Sequence, residues 1–277
     1  MLSGGASLGA LQVGMLRALY ERGVAPDLMV ATSAGALNAA FVASRAQTIE
    51  TSRELARIWR ELQRDDVFPV SPWTLIGGLL GKRDHLVSAA ALRTLVAQYL
   101  QFDDLADAPI PLHLVAFDLD RRCEVLLSEG PTVDAIAGAA AVPGVLPPVR
   151  FGDRRLIDGG VVNNTPISHA VELGAERIYV LPTLGPGSVP GRPPRGALSA
   201  AIDGLGLVLT HRFETDIAQY ANHAELIVLP APNPLAVQPT DFGHAGRLMR
   251  DALTAARLRL AQPLHSATLD GHLRATG

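Results

Sequence analysis

A serine, a glycine loop and an aspartate are the residues of this chain whose types and spacing suit acyl-transfer chemistry. Ser33 lies in the segment VATSAG (residues 30–35), where a buried strand gives way to a helix. Such a turn exposes the hydroxyl oxygen beside the unpaired N–H groups of the helix start. A serine hydroxyl is a weak nucleophile, so it also needs a base and donors for a developing oxyanion. Ser33 is therefore a candidate nucleophile; the alternative is a serine that caps a buried helix.

The glycine loop provides candidate oxyanion donors. Gly4, Gly5 and Ala6 follow a short apolar segment and precede a helix, and a loop of this kind can direct several N–H groups to one point. The alternative is phosphate binding by a dinucleotide fold, whose pattern is G-x-G-x-x-G. Gly4, Ala6 and Gly9 occupy those positions, so the middle glycine is missing. The pattern therefore favours an oxyanion hole over a nucleotide site.

Asp158 is the candidate base. It follows an apolar strand end and precedes Gly159 and Gly160, so a turn there can direct one carboxylate into a pocket; an ordinary turn aspartate is the alternative. A Ser-His-Asp triad, as in α/β-hydrolases, stays open as well, with His169 and His244 as the candidate histidines.

The elements around these residues alternate in a way that predicts an α/β fold. Residues 1–44 are typical of the end of a strand, the glycine loop, a helix, a strand, the serine turn and a second helix. Such alternation predicts a parallel sheet with helices on both faces. Further strands are predicted at 112–118, 123–127, 155–157, 177–181 and 225–229. Further helices are predicted at 48–63, around 73–80, and at 89–100, 133–141, 165–174, 197–220 and 241–260, with a Pro- and Gly-rich surface loop at 184–196.

Composition narrows the class of protein. The chain has 277 residues, 48% of them hydrophobic, which indicates a folded protein with a large core. A formal net charge of −3 gives no electrostatic case for binding nucleic acid. Cys123 is the sole cysteine, which excludes an internal disulfide and suits a cytoplasmic protein. No segment resembles a transmembrane helix or a metal-binding motif. The apolar, glycine-rich residues 73–81 leave transient contact with a membrane surface open.

Four ordered groups of motifs resemble the patatin-like phospholipase family, in its bacterial form. They are LSGG with GALQVG (residues 2–5 and 9–14), TSAGA (32–36), AVPGVLPPV (141–149) and DGGVVNNTP (158–166). The resemblance covers nearly the whole chain and implies one domain over residues 1–277. It implies a three-layer α/β/α fold with a central, mostly parallel sheet. Because residues 1–3 are too short for a full core strand, we expect the N-terminal strand to be truncated.

The resemblance also implies a serine acyl-ester hydrolase that acts on lipids through a Ser–Asp dyad and needs no cofactor. Carried over by motif, Ser33 is the nucleophile and Asp158 the base. Gly4, Gly5, Ala6 and Ala34 line the oxyanion hole. The expected partner is a lipid or another acyl ester.

Three positions depart from the family pattern. The glycine loop of the family usually reads G-G-G-x-R-G, but here Ala6 replaces the third glycine and Leu8 the arginine. Ala31 replaces the first glycine of G-x-S-x-G. These departures motivate a second hypothesis: a protein with the same fold that binds lipid or regulates a partner without efficient hydrolysis.

Overall fold

The fold was analysed in a computed structural model that describes residues 1–69, 85–185, 197–232, 237–238 and 240–262. The helix predicted around 73–80 and most of the loop predicted at 184–196 lie outside these residues. In the described ranges, no helix combines the length and the apolar character needed to cross a bilayer.

The described residues form nine α-helices and seven β-strands. The helices are α1 Ala10–Tyr20, α2 Ala34–Ala43, α3 Ile49–Glu61, α4 Arg64–Val67, α5 Ala90–Tyr99, α6 Thr132–Ala139, α7 Ile167–Glu172, α8 Ala197–Tyr220 and α9 Ala245–Ala261. The strands are β1 Met29–Thr32, β2 Leu112–Asp118, β3 Cys123–Leu127, β4 Val149–Phe151, β5 Arg154–Asp158, β6 Arg177–Val180 and β7 Glu225–Val228. Short 3₁₀ helices cover Ala6–Gly9, Leu105–Asp107, Gly159–Val161 and Phe242–His244.

The strands form a mixed sheet whose two halves differ in direction. β1 and β2 are parallel, and so are β6 and β7. Leu2 joins these pairs, because it forms parallel bridges to both Ala31 and Leu181. β3 and β5 run antiparallel to β2, and β4 runs antiparallel to β5. The expected mostly parallel sheet is therefore parallel in one half only. The short β2–β3 and β4–β5 connections require antiparallel neighbours, because a parallel crossover needs a dozen or more residues.

Strands β1 and β5 meet on the same edge of β2. β3 occupies the opposite edge along residues 114–118, so β1 and β5 share the remaining one. Thr32 lies beside Val115, and Asp158 lies beside the next residue, Ala116. The two strands run toward each other and end there, so Ser33 and Asp158 emerge at the same point of the sheet.

Helices cover both faces of the sheet. On one face, Leu114 packs in a large apolar core with residues of α1 and α9, such as Leu11 and Leu248. On the other face, Val115 packs against Ile167 of α7 and Phe213 of α8. The expected three-layer α/β/α arrangement is confirmed.

Candidate active site

Ser33 occupies a strained turn between β1 and α2. Its backbone angles are φ 54° and ψ −124°, a conformation that costs a non-glycine residue about 1–3 kcal/mol and that surrounding contacts must hold. The Ser33 N–H donates to the carbonyl of Ala139 at 3.2 Å, and its carbonyl accepts from the N–H of Ala36 at 2.8 Å. Gly35 lies so close to the carbonyls of Leu2 and Ser3 that a Cβ atom would clash with them. These contacts fix the turn and keep the serine at the N-terminus of α2.

Asp158 ends β5 and begins the 3₁₀ helix Gly159–Val161. Its N–H donates to the carbonyl of Ala141 at 2.9 Å, and its Oδ1 accepts from the N–H of Gly160 at 2.7 Å. Gly159 lies against the carbonyl of Val115, where no side chain would fit. The carboxylate is therefore held in one orientation by its own turn.

The structure places Ser33 and Asp158 next to each other, at the facing ends of β1 and β5. The Ser33 hydroxyl is near enough to the Asp158 carboxyl to lower its pKa, although the two residues are 125 positions apart in the chain. Ser33 is 8% exposed and Asp158 is 5% exposed. Burial raises the pKa of Asp158 to about 6, while the nearby Ser33 hydroxyl and the Gly160 N–H oppose the rise. A carboxylate with such a pKa is suited to accept a proton near neutral pH.

One short segment holds the backbones of both residues. The carbonyl of Ala139, at the end of α6, accepts from the Ser33 N–H. The carbonyl of Ala141, two positions further on, accepts from the Asp158 N–H. This segment includes the start of the AVPGVLPPV motif. The sequence resemblance identified that motif without indicating what it does, and the hydrogen bonds show that its first residue anchors the backbone of Asp158, while Ala139, just before the motif, anchors that of Ser33.

The glycine loop runs beside Ser33, but its N–H groups differ in availability. The Gly4 N–H donates to the main-chain carbonyl of Asn164 at 3.1 Å, so the expectation that Gly4 donates to an oxyanion is not supported. The N–H groups of Gly5, Ala6 and Ala34 have no acceptor among the described residues. Ala34 is the first residue of α2, whose N-terminus also carries partial positive charge.

The three departures from the family pattern have different structural consequences. Ala31 lies fully buried in regular β1, with no positive φ, so an alanine fits there. Ala6 has φ 49°, in the left-handed region that favours glycine. Leu8 is buried in the hydrophobic core and offers no cation to the site.

An apolar cavity of about 100 Å³ adjoins Ser33. Ser33, Ala6 and Ala34 line it at one side. The rest of the lining is almost entirely apolar and comes mainly from α2, α3, α5 and α6, with further residues from α4 and from loops; it includes Leu37, Phe41, Leu55, Trp59, Val96 and Ile136. Asn38 is the main polar exception, and its amide is already bound to the indole N–H of Trp59 and to the Gly9 carbonyl. The cavity is suited to hold a hydrocarbon chain.

The two candidate histidines lie in other environments. Both ring nitrogens of His169 contact carboxylates, Glu124 at 2.6 Å and Glu172 at 3.2 Å. The hydrogen bond to Glu124 is the main cause that raises the pKa of His169. His244 is exposed and pairs with Asp241 at 3.3 Å. In the part of the chain that the structure describes, no hydrogen bond joins either histidine to Ser33, and the triad alternative has no support.

Sequence reasoning missed two residues that hold the glycine loop, Asn164 and Thr183. The Gly4 carbonyl accepts hydrogen bonds from the Asn164 amide at 3.3 Å and from the Thr183 hydroxyl. Asn164 lies in the DGGVVNNTP motif, so its position was a usable signal. Thr183 follows β6 in no recognised motif, and only the folded sheet brings it to residue 4.

Known proteins share this sequence pattern. A model of the Patatin-like phospholipase family matches residues 1–171. Lysophospholipase NTE1 of Mycosarcoma maydis is 26% identical over 203 residues, covering 70% of this chain and 10% of that protein. An NTE family protein of Mycobacterium tuberculosis is 28% identical over 169 residues, covering 60% of this chain and 27% of that protein. Patatin-like phospholipase domain-containing protein 6 of Mus musculus is 25% identical over 183 residues, covering 65% and 13% respectively.

The chain thus spans about a quarter or less of the length of these relatives. A solved structure, VipD of Legionella pneumophila, matches 91% of this chain and 66% of the VipD chain. The sequence identity is 13% and the TM-score is 0.42, so the likeness is weak. The family match extends over most of the chain and includes both Ser33 and Asp158. This chain belongs to the patatin-like phospholipase family.

Proposed function

We propose that this protein is a serine acyl-ester hydrolase that cleaves fatty-acyl esters of lipids. The observation that carries the proposal is the placement of the buried Ser33 and Asp158 side chains next to each other, beside an apolar cavity that Ser33 lines. A hydroxyl with an adjacent base is the arrangement that nucleophilic catalysis needs. A cavity with an apolar lining accommodates the acyl chain, since hydrocarbon surface gains about 25 cal/mol per Å² when it leaves water.

In the proposed mechanism, Asp158 accepts the proton of Ser33 as the serine oxygen attacks the ester carbonyl. The N–H groups of Gly5, Ala6 and Ala34 donate to the oxyanion, and the N-terminus of α2 adds its positive end. The C–O bond to the alcohol breaks, and the alcohol leaves with the proton held by Asp158. Water then attacks the acyl-enzyme with Asp158 again as base, which releases the fatty acid and restores the serine.

The experiment is hydrolysis of p-nitrophenyl butyrate by purified wild-type protein and by Ser33→Ala and Asp158→Asn variants. We expect each variant to lose at least about 10³-fold in kcat, because removing the nucleophile or the base removes the covalent route. Circular dichroism checks that the variants are folded. Turnover by folded Ser33→Ala at the wild-type rate would refute the assignment.

A second candidate, lipid binding without turnover, is favoured by the strained Ala6 and by the buried Leu8 in place of an arginine. A fluorophosphonate probe separates the two functions, because only an activated serine forms the covalent adduct. We expect labelling of wild-type protein at Ser33. Absence of labelling, combined with retention of a fluorescent fatty acid, would favour the binding protein.

A further inference from the structure

The peptide group between Gly4 and Gly5 is held in place by two side chains from distant parts of the chain. Asn164 donates its side-chain amide to the Gly4 carbonyl at 3.3 Å, and its main-chain carbonyl accepts at 3.1 Å from the Gly4 N–H of the preceding peptide group. Thr183 donates its hydroxyl to the same carbonyl. The carbonyl therefore accepts two hydrogen bonds, from donors in two separate loops.

The direction of the Gly4 carbonyl determines the direction of the Gly5 N–H. A trans peptide group is planar, and its C=O and N–H point to opposite sides. The two donors fix the carbonyl toward Asn164 and Thr183, so the Gly5 N–H points away from them. Without these bonds, a Gly-Gly peptide has wide backbone freedom and adopts many orientations.

The loop has little room to move at this point. A Cβ atom at Gly4 would overlap Asn164 and lie 2.9 Å from the Cβ of Ser33. One at Gly5 would overlap the Thr183 side chain. The loop is therefore packed directly between Ser33 and the two residues that bond to it.

Thr183 is itself rigidly placed. It is fully buried, and its N–H donates to the Ser3 hydroxyl at 2.9 Å. It follows Leu181, which is paired with Leu2 in the sheet. It also lies outside residues 1–171, the range that the family model matches.

We propose that Thr183 and Asn164 are positioning residues that fix the Gly5 N–H in the direction of the developing oxyanion. This inference rests on the proposed hydrolase function. The Thr183 hydroxyl does not touch the reacting atoms; it acts through the Gly4–Gly5 peptide group. Its removal should therefore weaken the stabilisation of the transition state more than the binding of substrate.

The kinetic test compares Thr183→Val, which removes the hydroxyl and retains the shape, with Thr183→Ser, which retains the hydroxyl. With p-nitrophenyl butyrate we expect Thr183→Val to lower kcat about 10- to 100-fold, a smaller loss than outright deletion of a donor. We expect KM to change less than about twofold, because the interaction forms in the transition state. Thr183→Ser should remain within about threefold of wild type. Equal kcat for Thr183→Val and Thr183→Ser would overturn the proposal.

A second readout needs no activity. Protein made with glycine carrying ¹³C at the carbonyl and ¹⁵N at the amide gives HNCO signals only for Gly-Gly pairs, which are 4–5, 77–78 and 159–160. We expect Thr183→Val to shift the 4–5 signal and leave the 159–160 signal unchanged, with Thr183→Ser close to wild type. If the 4–5 signal does not move in Thr183→Val, the inference is overturned, whatever the hydrolysis assay shows. If wild-type protein shows no Ser33-dependent hydrolysis, only the proposed function is refuted. If Thr183→Val does not fold, Asn164→Ala undergoes the same two measurements.

Discussion

At the residue scale, the burial of Asp158 has a direct effect on the pH dependence of catalysis. The proposed base works only when it is ionised, and burial raises its pKa to about 6 from an ordinary value of 3.8. Protonation therefore removes the base at a pH about two units higher than an exposed aspartate would require. We predict that kcat/KM for a neutral ester falls about tenfold per pH unit below about pH 6.

The measurement is the pH profile of kcat/KM from pH 4.5 to pH 8. Far-UV circular dichroism across the same range controls for unfolding, and the rate of Ser33→Ala supplies the background. A profile that stays flat down to pH 4.5 would contradict the assigned environment of Asp158.

Ala6 shows the cost of a side chain in the glycine loop. Its φ of 49° lies in the left-handed region, where an L-residue pays about 1–2 kcal/mol. We predict that Ala6→Gly keeps or raises the free energy of unfolding, because the relief of strain offsets the added freedom of the unfolded chain. A matched control, Ala218→Gly on the exposed face of α8, should lower it by about 1 kcal/mol. Urea unfolding of both variants measures the two free energies of unfolding. An equal decrease in Ala6→Gly and Ala218→Gly would show that Ala6 carries no strain.

At the element scale, α2 connects Ser33 to the cavity. Ser33 precedes its first turn, and Ala34, Leu37 and Ala40 line the cavity along one side. A larger side chain at position 40 would therefore occupy space that the acyl chain needs, at a distance from the nucleophile.

We predict that Ala40→Leu changes the preference for acyl-chain length. The value of kcat/KM for p-nitrophenyl palmitate should fall at least about tenfold, while that for the butyrate should change less than about threefold. The control Ala218→Leu makes the same replacement on an exposed face of α8. It should change kcat/KM for neither the palmitate nor the butyrate ester. If both esters were affected equally by Ala40→Leu, the cavity would not be the acyl site.

Most of the elements were predictable from the sequence, and the exceptions have physical reasons. β2, β3 and α8 have the predicted bounds because apolar periodicity and clear turns delimit them. β4 was missed, since it has three residues with exposed Arg150 in the middle. The helix predicted from 241 begins at Ala245, because Asp241 caps a 3₁₀ turn through the N–H of Gly243. The short connections within β2–β3 and β4–β5 indicate antiparallel pairs, but the pairing of β2 with β5 joins residues as distant as Ala116 and Asp158, which local patterns do not encode.

In the candidate site, too, residues in local motifs were predictable from the sequence, and contacts between distant residues were not. Ser33 and Asp158 were found because their motifs are local, and the structure brings their side chains together. The bond between the Gly4 N–H and Asn164, and the contact between Gly4 and Thr183, join residues about 160 and 179 positions apart. No local pattern predicts such pairs.

At the scale of the whole molecule, the first and last described helices close the fold. Glu21, just after α1, pairs with Arg257 of α9 at 2.7 Å. Gly14 of α1 lies against the backbone of α9. A Cβ atom at Gly14 would overlap the Met249 carbonyl oxygen and lie 2.8 Å from the Leu253 nitrogen. The two helices therefore pack with their backbones in close contact, which only glycine permits at this point.

We predict that Gly14→Ala lowers the free energy of unfolding by about 1–3 kcal/mol, because the added methyl group meets backbone atoms that cannot rotate away. The matched control is Gly204→Ala in α8, where an added Cβ meets nothing within 4 Å. That variant should be up to about 1 kcal/mol more stable, since alanine favours a helix interior. Urea denaturation monitored by circular dichroism measures both; a stabilised Gly14→Ala would disprove the close packing.

The two carbonyls that accept from Ser33 and Asp158 belong to residues only two positions apart, Ala139 and Ala141. We therefore expect a thermal displacement of that short stretch to carry the backbones of Ser33 and Asp158 in the same direction. The distance between the two residues should then vary less than the position of either one, even though they end different strands. Proton transfer is very sensitive to donor–acceptor distance, so in the proposed mechanism this shared attachment would keep the spacing of the pair while the surrounding layers fluctuate.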